Sequence, residues 1–356
     1  MKGIELSRLF YETYGKPMLE GFPELLPHLA VGVGGSGSEW LGFDDEISRD
    51  HDFEPGFTVF LPDESVVSRR DEFLLERAYQ KLPREFMGYK RDLLSPAGGN
   101  RFGVRRMAEF FESTVGDPTG LLSLDEWLMI PEQYLLEATN GAVFYDGNGE
   151  FTAKKESLRT FPEDVRLKKL AGCLVTAGQS GPYNFERSVL HGESGAAQLS
   201  LSAFTQSVLH AAFLLERKYM PFYKWSFRAA RELQHFSPHC PPKELAELLE
   251  FLLTHGNEHE MLEHKRAALK RIVTELDAAV RTRLSEEGYT LAAEGRSYSA
   301  SNPYRLERPL KAGEAEIKRA DAGKEAAMPD LGRTAELING LISDAALRNE
   351  HILRGV

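Results

Sequence analysis

Two cysteines in 356 residues, Cys173 and Cys240, exclude a disulfide framework and a four-cysteine zinc site. Basic charge is also short. The 43 Lys and Arg stand against 54 Asp and Glu, a formal net charge of −11, whereas nonspecific phosphate-backbone binding needs a basic face. No stable nucleic-acid partner is expected. No apolar run approaches the ~18 residues of a membrane span, and the opening MKGIELSRLFYETYGKPML scatters charge where a secretory signal carries an apolar core. The expected location is the cytoplasm, with no membrane partner. What the chain does have is 42% hydrophobic residues, ample for the cores of two or three domains.

Periodicity divides the chain into a mixed first part and a helical second part. Residues 4–29 read as a helix and a lead-in punctuated by Pro17, Pro23 and Pro27, after which LAVGVGG and FTVFLP are strand candidates. Stretches 71–82 and 107–114 read as helices, 101–107 as a strand, and GAVFYDGNGEFT as strand, turn and strand about Asp146-Gly147-Asn148-Gly149. Further on, Leu201, Phe204, Val208, Ala211 and Leu215 recur at helical spacing. Pro241-Pro242 opens a helix running to Gly256, and Leu262, Leu269, Val273, Leu276, Val280 and Leu284 mark another, ended by Gly288. Residues 289–330 are polar and weakly patterned, which predicts a mobile connection before a last helix over 331–347. The predicted fold class is α+β: a small mixed-sheet domain over 1–165, a helical bundle over 166–290, and a partly mobile linker with a C-terminal helix over 291–356.

The stretch VGVGGSGSEWLGFDDEISRDHDFEPGFTVFLPD concentrates the unusual residues. Gly32-Val33-Gly34-Gly35-Ser36-Gly37 satisfies the dinucleotide fingerprint Gly-x-Gly-x-x-Gly after a strand, with Asp63 as the acid at the end of the second strand. That oxidoreductase reading leaves Asp50 and Asp52 unexplained. The other reading pairs Gly37-Ser38 with Asp50-His51-Asp52, eleven residues further on. A Gly-Ser turn offers backbone N–H groups and a small hydroxyl to phosphate oxygens. In a strand, residues two apart share a face, so Asp50 and Asp52 would present both carboxylates together, the hard oxygen donors Mg²⁺ prefers.

Gly37-Ser38, the eleven-residue gap and Asp50-His51-Asp52-Phe53 resemble the signature of the polymerase-β-like nucleotidyltransferase superfamily. More narrowly, GSGSEWLGFDDEISRDHDFEPGF, VFYDGNGEFT, FPEDVRLKKLAG, ERKYMPFYKW and LRNEHIL resemble the bacterial domain of unknown function family 4037, across most of the chain. The resemblance implies a nucleotidyltransferase-like first domain and a helical domain that supplies an acceptor pocket. Asp50 and Asp52, with a third acid from a neighbouring strand, would hold two Mg²⁺ ions, and Gly37 and Ser38 would hold the phosphates of a nucleoside triphosphate, ATP first among the donors. The activity implied is transfer of a nucleoside monophosphate to a hydroxyl of a small-molecule acceptor. A catalytically silent nucleotide-binding or interaction protein is the alternative, and a dinucleotide-dependent oxidoreductase a distant one.

The third acid is the departure. RFGVRRM offers Gly103 and Arg105 where a carboxylate is expected, Glu109 falls in the next helix, and Asp146 is the remaining candidate, with a plain turn-forming role as its other reading. ERKYMPFYKWSFR mixes cations with aromatics around Pro221: either a kinked helix with Tyr219, Phe222 and Trp225 in the core, or a segment that sets Lys224 or Arg217 against triphosphate. YNFERSVLHGES is a pocket lining or a polar loop. In HGNEHEMLEH the histidine spacing misses the two-histidine zinc pattern, and His235, His239 and Cys240 in their Pro-rich turn offer no stronger case for a metal.

Overall fold

LAVGV and FTVFL carry one polar side chain between them, Thr58, so each suits a strand covered on both faces. The computed structural model describes residues 1–47, 53–91, 101–291 and 328–354, and in it these runs form β1 (Ala30–Val33) and β2 (Thr58–Leu61), all eight residues buried. β1 and β2 pair antiparallel, with Val31 opposite Val59. β5 (Gly103–Arg106) lies parallel to β2, and β6 (Ala142–Asp146) antiparallel to β1, giving the mixed order β5-β2-β1-β6. A separate small hairpin pairs β3 (Glu85–Phe86) with β4 (Tyr89–Lys90). The mixed sheet followed by helices is the α+β class the sequence predicts. The antiparallel β1–β2 pair overturns the dinucleotide reading, because that fingerprint must turn a strand through a helix into a parallel neighbour.

Period-two alternation gives the sheet two cores. Val31, Val33, Val59 and Leu61 meet Phe10, Leu19, Phe57 and Leu75 on one side. On the other, Phe60 stacks on Phe151 at 4.1 Å and meets the edge of Phe110 at 5.3 Å. The N-terminal helix is α1 (Gly3–Phe10), a widened turn at Tyr11–Gly15, and α2 (Lys16–Glu20). The widening falls where Gly15 rests on Phe57, whose Cζ would stand 2.5 Å from any added Cβ. α3 (Arg69–Gln80) is capped by Ser68, and α4 (Met107–Val115), α5 (Leu124–Met129) and α6 (Glu132–Thr139) lead to β6. GNGEFT does not return as a strand: after the turn the chain forms α7 (Glu150–Ser157). Asp146 turns the chain into that helix, its carboxylate accepting the N–H groups of Gly149 (3.0 Å) and Thr152 (2.8 Å).

The chain folds as two units, Met1–Pro162 with Arg217–Ala229, and Glu163–Glu216 with the chain from Ala230 onward. The second unit is helical: α8 (Glu163–Gly178), a wide turn at Gln179–Phe185, α9 (Glu186–Leu190) and α10 (Ser194–Leu215), then, after α11 (Tyr223–Arg231), α12 (Pro242–Thr254) and α13 (His259–Glu286). The residues whose spacing predicts α10 and α13 are the ones buried, from Leu201 to Leu215 and from Leu262 to Leu284. YNFERSVLHGES is mostly helix rather than loop. The predicted helix over 331–347 is two, α14 (Leu331–Asn339) and α15 (Ala345–Asn349), separated at Gly340 and restarted by an Asp344 cap. Most of the predicted mobile connection, residues 292–327, lies outside the described residues. No described helix is long and apolar enough to cross a membrane.

Candidate functional site

β1 ends at Val33, and Gly34-Gly35-Ser36-Gly37-Ser38 leaves the sheet as a loop. Asn140, at the end of α6, grips it from behind: its Oδ1 accepts the Gly35 N–H at 2.9 Å and its Nδ2 donates to the Gly35 carbonyl at 2.8 Å. Lys155 of α7 steadies that grip, donating to the Asn140 carbonyl at 2.6 Å. Burial pushes the Lys155 ammonium down to about 8, because a charge away from water is disfavoured. Gly34 sits against both residues, 3.1 Å from the Asn140 carbonyl and 3.6 Å from Lys155 Nζ as judged from the place a Cβ would take.

The next turn is built around Gly37, at φ 136° and ψ 142°. That backbone strains any side-chain-bearing residue, and a Cβ there would lie 2.6 Å from Arg101 Nη2 and 2.7 Å from the Glu39 carboxylate oxygens. Arg101 and Glu39 form an ion pair across the glycine. The Arg101 guanidinium also lies over the rings of Trp40 (5.1 Å) and Phe102 (5.6 Å), and Nη2 reaches the Ser36 carbonyl at 3.5 Å. Burial brings Arg101 down to about 10, so it stays cationic at neutral pH. Ser38 opens a short tight turn through Leu41, its carbonyl accepting the Phe43 N–H at 2.9 Å. The N–H groups of Gly37 and Ser38 meet no acceptor among the described residues.

Asp50 and Asp52 lie outside the described residues. The described chain resumes at Phe53, whose ring meets Tyr89 at 5.1 Å, and reaches β2 at Thr58. The Gly-Ser loop and the two aspartates therefore belong to one connection, between strands that pair with each other. β5 brings no carboxylate beside it. Arg105, opposite Phe60, donates to the Glu109 carbonyl (2.9 Å) and Ser113 Oγ (2.6 Å), and Arg106 clamps the carbonyls of Pro62 and Val67 and the Glu72 carboxylate. Both carboxylate oxygens of Asp146 are engaged by the N–H groups of Gly149 and Thr152. Among the described residues no group of three His, Cys, Asp or Glu is arranged to hold a metal.

The segment after α10 belongs to the first unit, and named contacts hold it there. Tyr219 donates its hydroxyl to the Leu158 carbonyl at 2.5 Å, inside an aromatic cluster with Phe161 and Trp127, and Glu132 accepts the Met220 N–H at 2.9 Å. Burial raises the Tyr219 hydroxyl well above its ordinary range. Arg217 is exposed in the left-handed region at φ 55°. Lys224 is exposed, with Nζ 5.1 Å from the Trp225 ring. The cation that reaches the loop is Arg228. It donates to the Phe43 carbonyl at 2.8 Å and lies 4.9 Å over the Phe43 ring, while Trp225 packs on the same ring at 5.7 Å. Arg228 is not among the cations the sequence singles out, although Trp225 and Arg228 are three apart and share a helix face. Asn140 carries no local signal, since its role depends on pairing with Gly35 across more than a hundred residues of chain, and Lys155 acts only through Asn140.

Residues 127–226 match the model of DUF4037, a domain of unknown function. The resemblance to that family is borne out over these residues, which include Asn140, Lys155 and the returning segment as far as Ser226 but begin after the Gly-Ser loop and the two aspartates. No curated protein sequence matches the chain. A solved nucleotidyltransferase-like protein from Exiguobacterium sibiricum 255-15 is similar at 12% identity, over 77% of this chain and 86% of its own, with a TM-score of 0.27. A superposition that loose shows neither activity nor substrate.

Proposed function

We propose that the protein is a Mg²⁺-dependent nucleotidyltransferase that moves a nucleoside monophosphate from a nucleoside triphosphate, ATP first among them, to a hydroxyl of a small cytoplasmic acceptor. The observation that carries this reading is connectivity. Gly37-Ser38 and Asp50-His51-Asp52 occupy the single connection between β1 and β2, whose antiparallel pairing anchors both ends of that connection in one buried sheet. Gly37 and Ser38 present N–H groups without an acceptor among the described residues, suited to phosphate oxygens. Asp50 and Asp52 are hard oxygen donors and fit Mg²⁺. They would hold the metal, two ions by the superfamily resemblance, which supplies neutralisation of phosphate charge and a more acidic acceptor hydroxyl. The net charge of −11 supports a small acceptor over RNA.

A second reading keeps nucleotide binding and drops transfer. It is favoured by Asp146, whose two carboxylate oxygens are each engaged by a backbone N–H, the arrangement of a residue that turns the chain into a helix. The two readings separate on pyrophosphate release from each nucleoside triphosphate with Mg²⁺ and mixed hydroxyl acceptors. Release that disappears in Asp52→Asn is expected for transfer. Binding of a triphosphate without release in any acceptor mixture leaves the silent module.

A further inference from the structure

Arg101 and Glu39 are placed unlike the other buried ion pairs of the first unit. Arg106 pairs with Glu72 and also clamps two carbonyls, Pro62 and Val67, so that it ties α3 to the strand connections. Arg101 instead straddles Gly37, whose φ of 136° strains any side-chain-bearing residue, beside the N–H groups of Gly37 and Ser38. Trp40 and Phe102 face the guanidinium, and both it and the Glu39 carboxylate are largely shielded from water. A shielded arginine whose acid partner, Glu39, directly follows the phosphate-suited Gly37-Ser38 turn is a cation already in place, with an anion standing in the position a ligand would take.

We infer that Arg101 binds the polyphosphate of the substrate, and that Glu39 occupies Arg101 in the free protein and yields it when the triphosphate arrives. This rests on the proposed nucleotide site and adds a residue to it. The chemistry is an exchange of anions on one guanidinium. Carboxylate and phosphate both match its planar N–H fork, and a phosphate seated on the Gly37 and Ser38 N–H groups is repelled by the Glu39 charge. Glu39 therefore works against binding while it steadies the empty loop. It also selects for ligands with enough negative charge to displace it, so triphosphate is favoured over monophosphate.

The sign of the Glu39 effect separates this from a purely structural pair. The measurement is isothermal titration of wild type, Arg101→Met, Arg101→Lys and Glu39→Gln with ATP and Mg²⁺ and with inorganic tripolyphosphate, beside the melting temperature of each unliganded protein. Arg101→Met is expected to weaken both ligands by about tenfold to a hundredfold, the usual loss for a charge-assisted contact. Arg101→Lys recovers part of that loss, and Glu39→Gln tightens both ligands by about threefold or more even as its own melting temperature falls. Two outcomes overturn the inference and leave the nucleotide site standing. One is wild-type affinity in Arg101→Met while Asp50→Asn/Asp52→Asn abolishes ATP binding; the other is parallel weakening in Glu39→Gln and Arg101→Met. Should Arg101→Met fail to fold, the direction of the Glu39→Gln change decides alone. Absence of any triphosphate binding in wild type removes the nucleotide site and this role together.

Discussion

Both units bury charge, but they spend it differently. In the helical unit three of the buried cations, Arg166, Lys168 and Lys265, tie one helix to another. Arg166 of α8 bridges Glu163 and Glu287, just beyond α13, and Lys168 donates to Asn339 Oδ1 and the Glu350 carbonyl. Lys265 of α13 closes the end of α12 through the carbonyls of Leu252 and His255 and through Asn257 Oδ1. In the sheet unit Asn140, Lys155, Arg101 and Arg228 converge on one connection, residues 34–45. A surface loop does not need bracing from so many sides merely to join two strands. Buried charge is thus no sign of function by itself; what it is attached to distinguishes a tie from a site.

Arg166→Met tests the first half of that contrast and carries the largest expected effect on folding. Losing one side of a largely buried pair strands Glu287, and the helical unit should lose roughly 3 kcal/mol in urea denaturation, with triphosphate affinity unchanged. A matching loss of affinity would erase the distinction. Gly37→Ala should reverse the pattern. Left-handed strain costs about 1–3 kcal/mol, and because the new methyl meets Arg101 and Glu39, nucleotide affinity should fall by more than about tenfold, a larger functional than structural change. Asn140→Ala should cost about 1–2 kcal/mol for two lost hydrogen bonds to Gly35, with a weaker triphosphate-induced shift in melting temperature.

The smallest effect is a pH dependence. Lys155 titrates at about 8 in the folded protein, below its ordinary 10.5, chiefly because it is buried, with Arg159 adding to the shift and Glu156 opposing it. Below pH ~8 the ammonium is charged in both states and the burial penalty is felt in full. Between the folded and unfolded values the unfolded chain holds more protons, so wild-type stability gains as pH rises. Lys155→Met should flatten that rise in denaturation curves taken between pH 7 and 10; an unchanged slope would mean that Lys155 is hydrated.

The sequence makes β1 and β2 legible because strands covered on both faces are nearly unbroken apolar runs, and α10 and α13 legible because their buried residues keep helical spacing. The misreadings share a physical cause: local chemistry that suits two structures. Asp146-Gly147-Asn148-Gly149 suits a hairpin turn, yet the Asp146 side chain takes two N–H groups and starts α7, with Phe151 buried against Phe60. The apolar spacing over 331–347 suits one helix as well as two, and only the structure shows the break at Gly340 and the restart at Asp344. In the candidate site, Gly37 and Ser38 are visible as a motif, and the φ of 136° at Gly37 gives the glycine its reason. Arg101, Asn140 and Lys155 could not be read from neighbours, because each acquires its role only when the sheet brings it to the loop.

The central claim is that the connection between β1 and β2 holds a metal-bound nucleoside triphosphate. The most direct measurement is thermal denaturation of wild type and Asp50→Asn/Asp52→Asn with each nucleoside triphosphate and with NADH, in the presence and absence of Mg²⁺. A ligand at about 100 times its dissociation constant stabilises by roughly 2.7 kcal/mol, a readily visible shift in melting temperature. The expected result is a shift with a triphosphate that requires Mg²⁺ and vanishes in the double variant. No shift with any triphosphate, or an equal shift of both proteins by NADH, would contradict it.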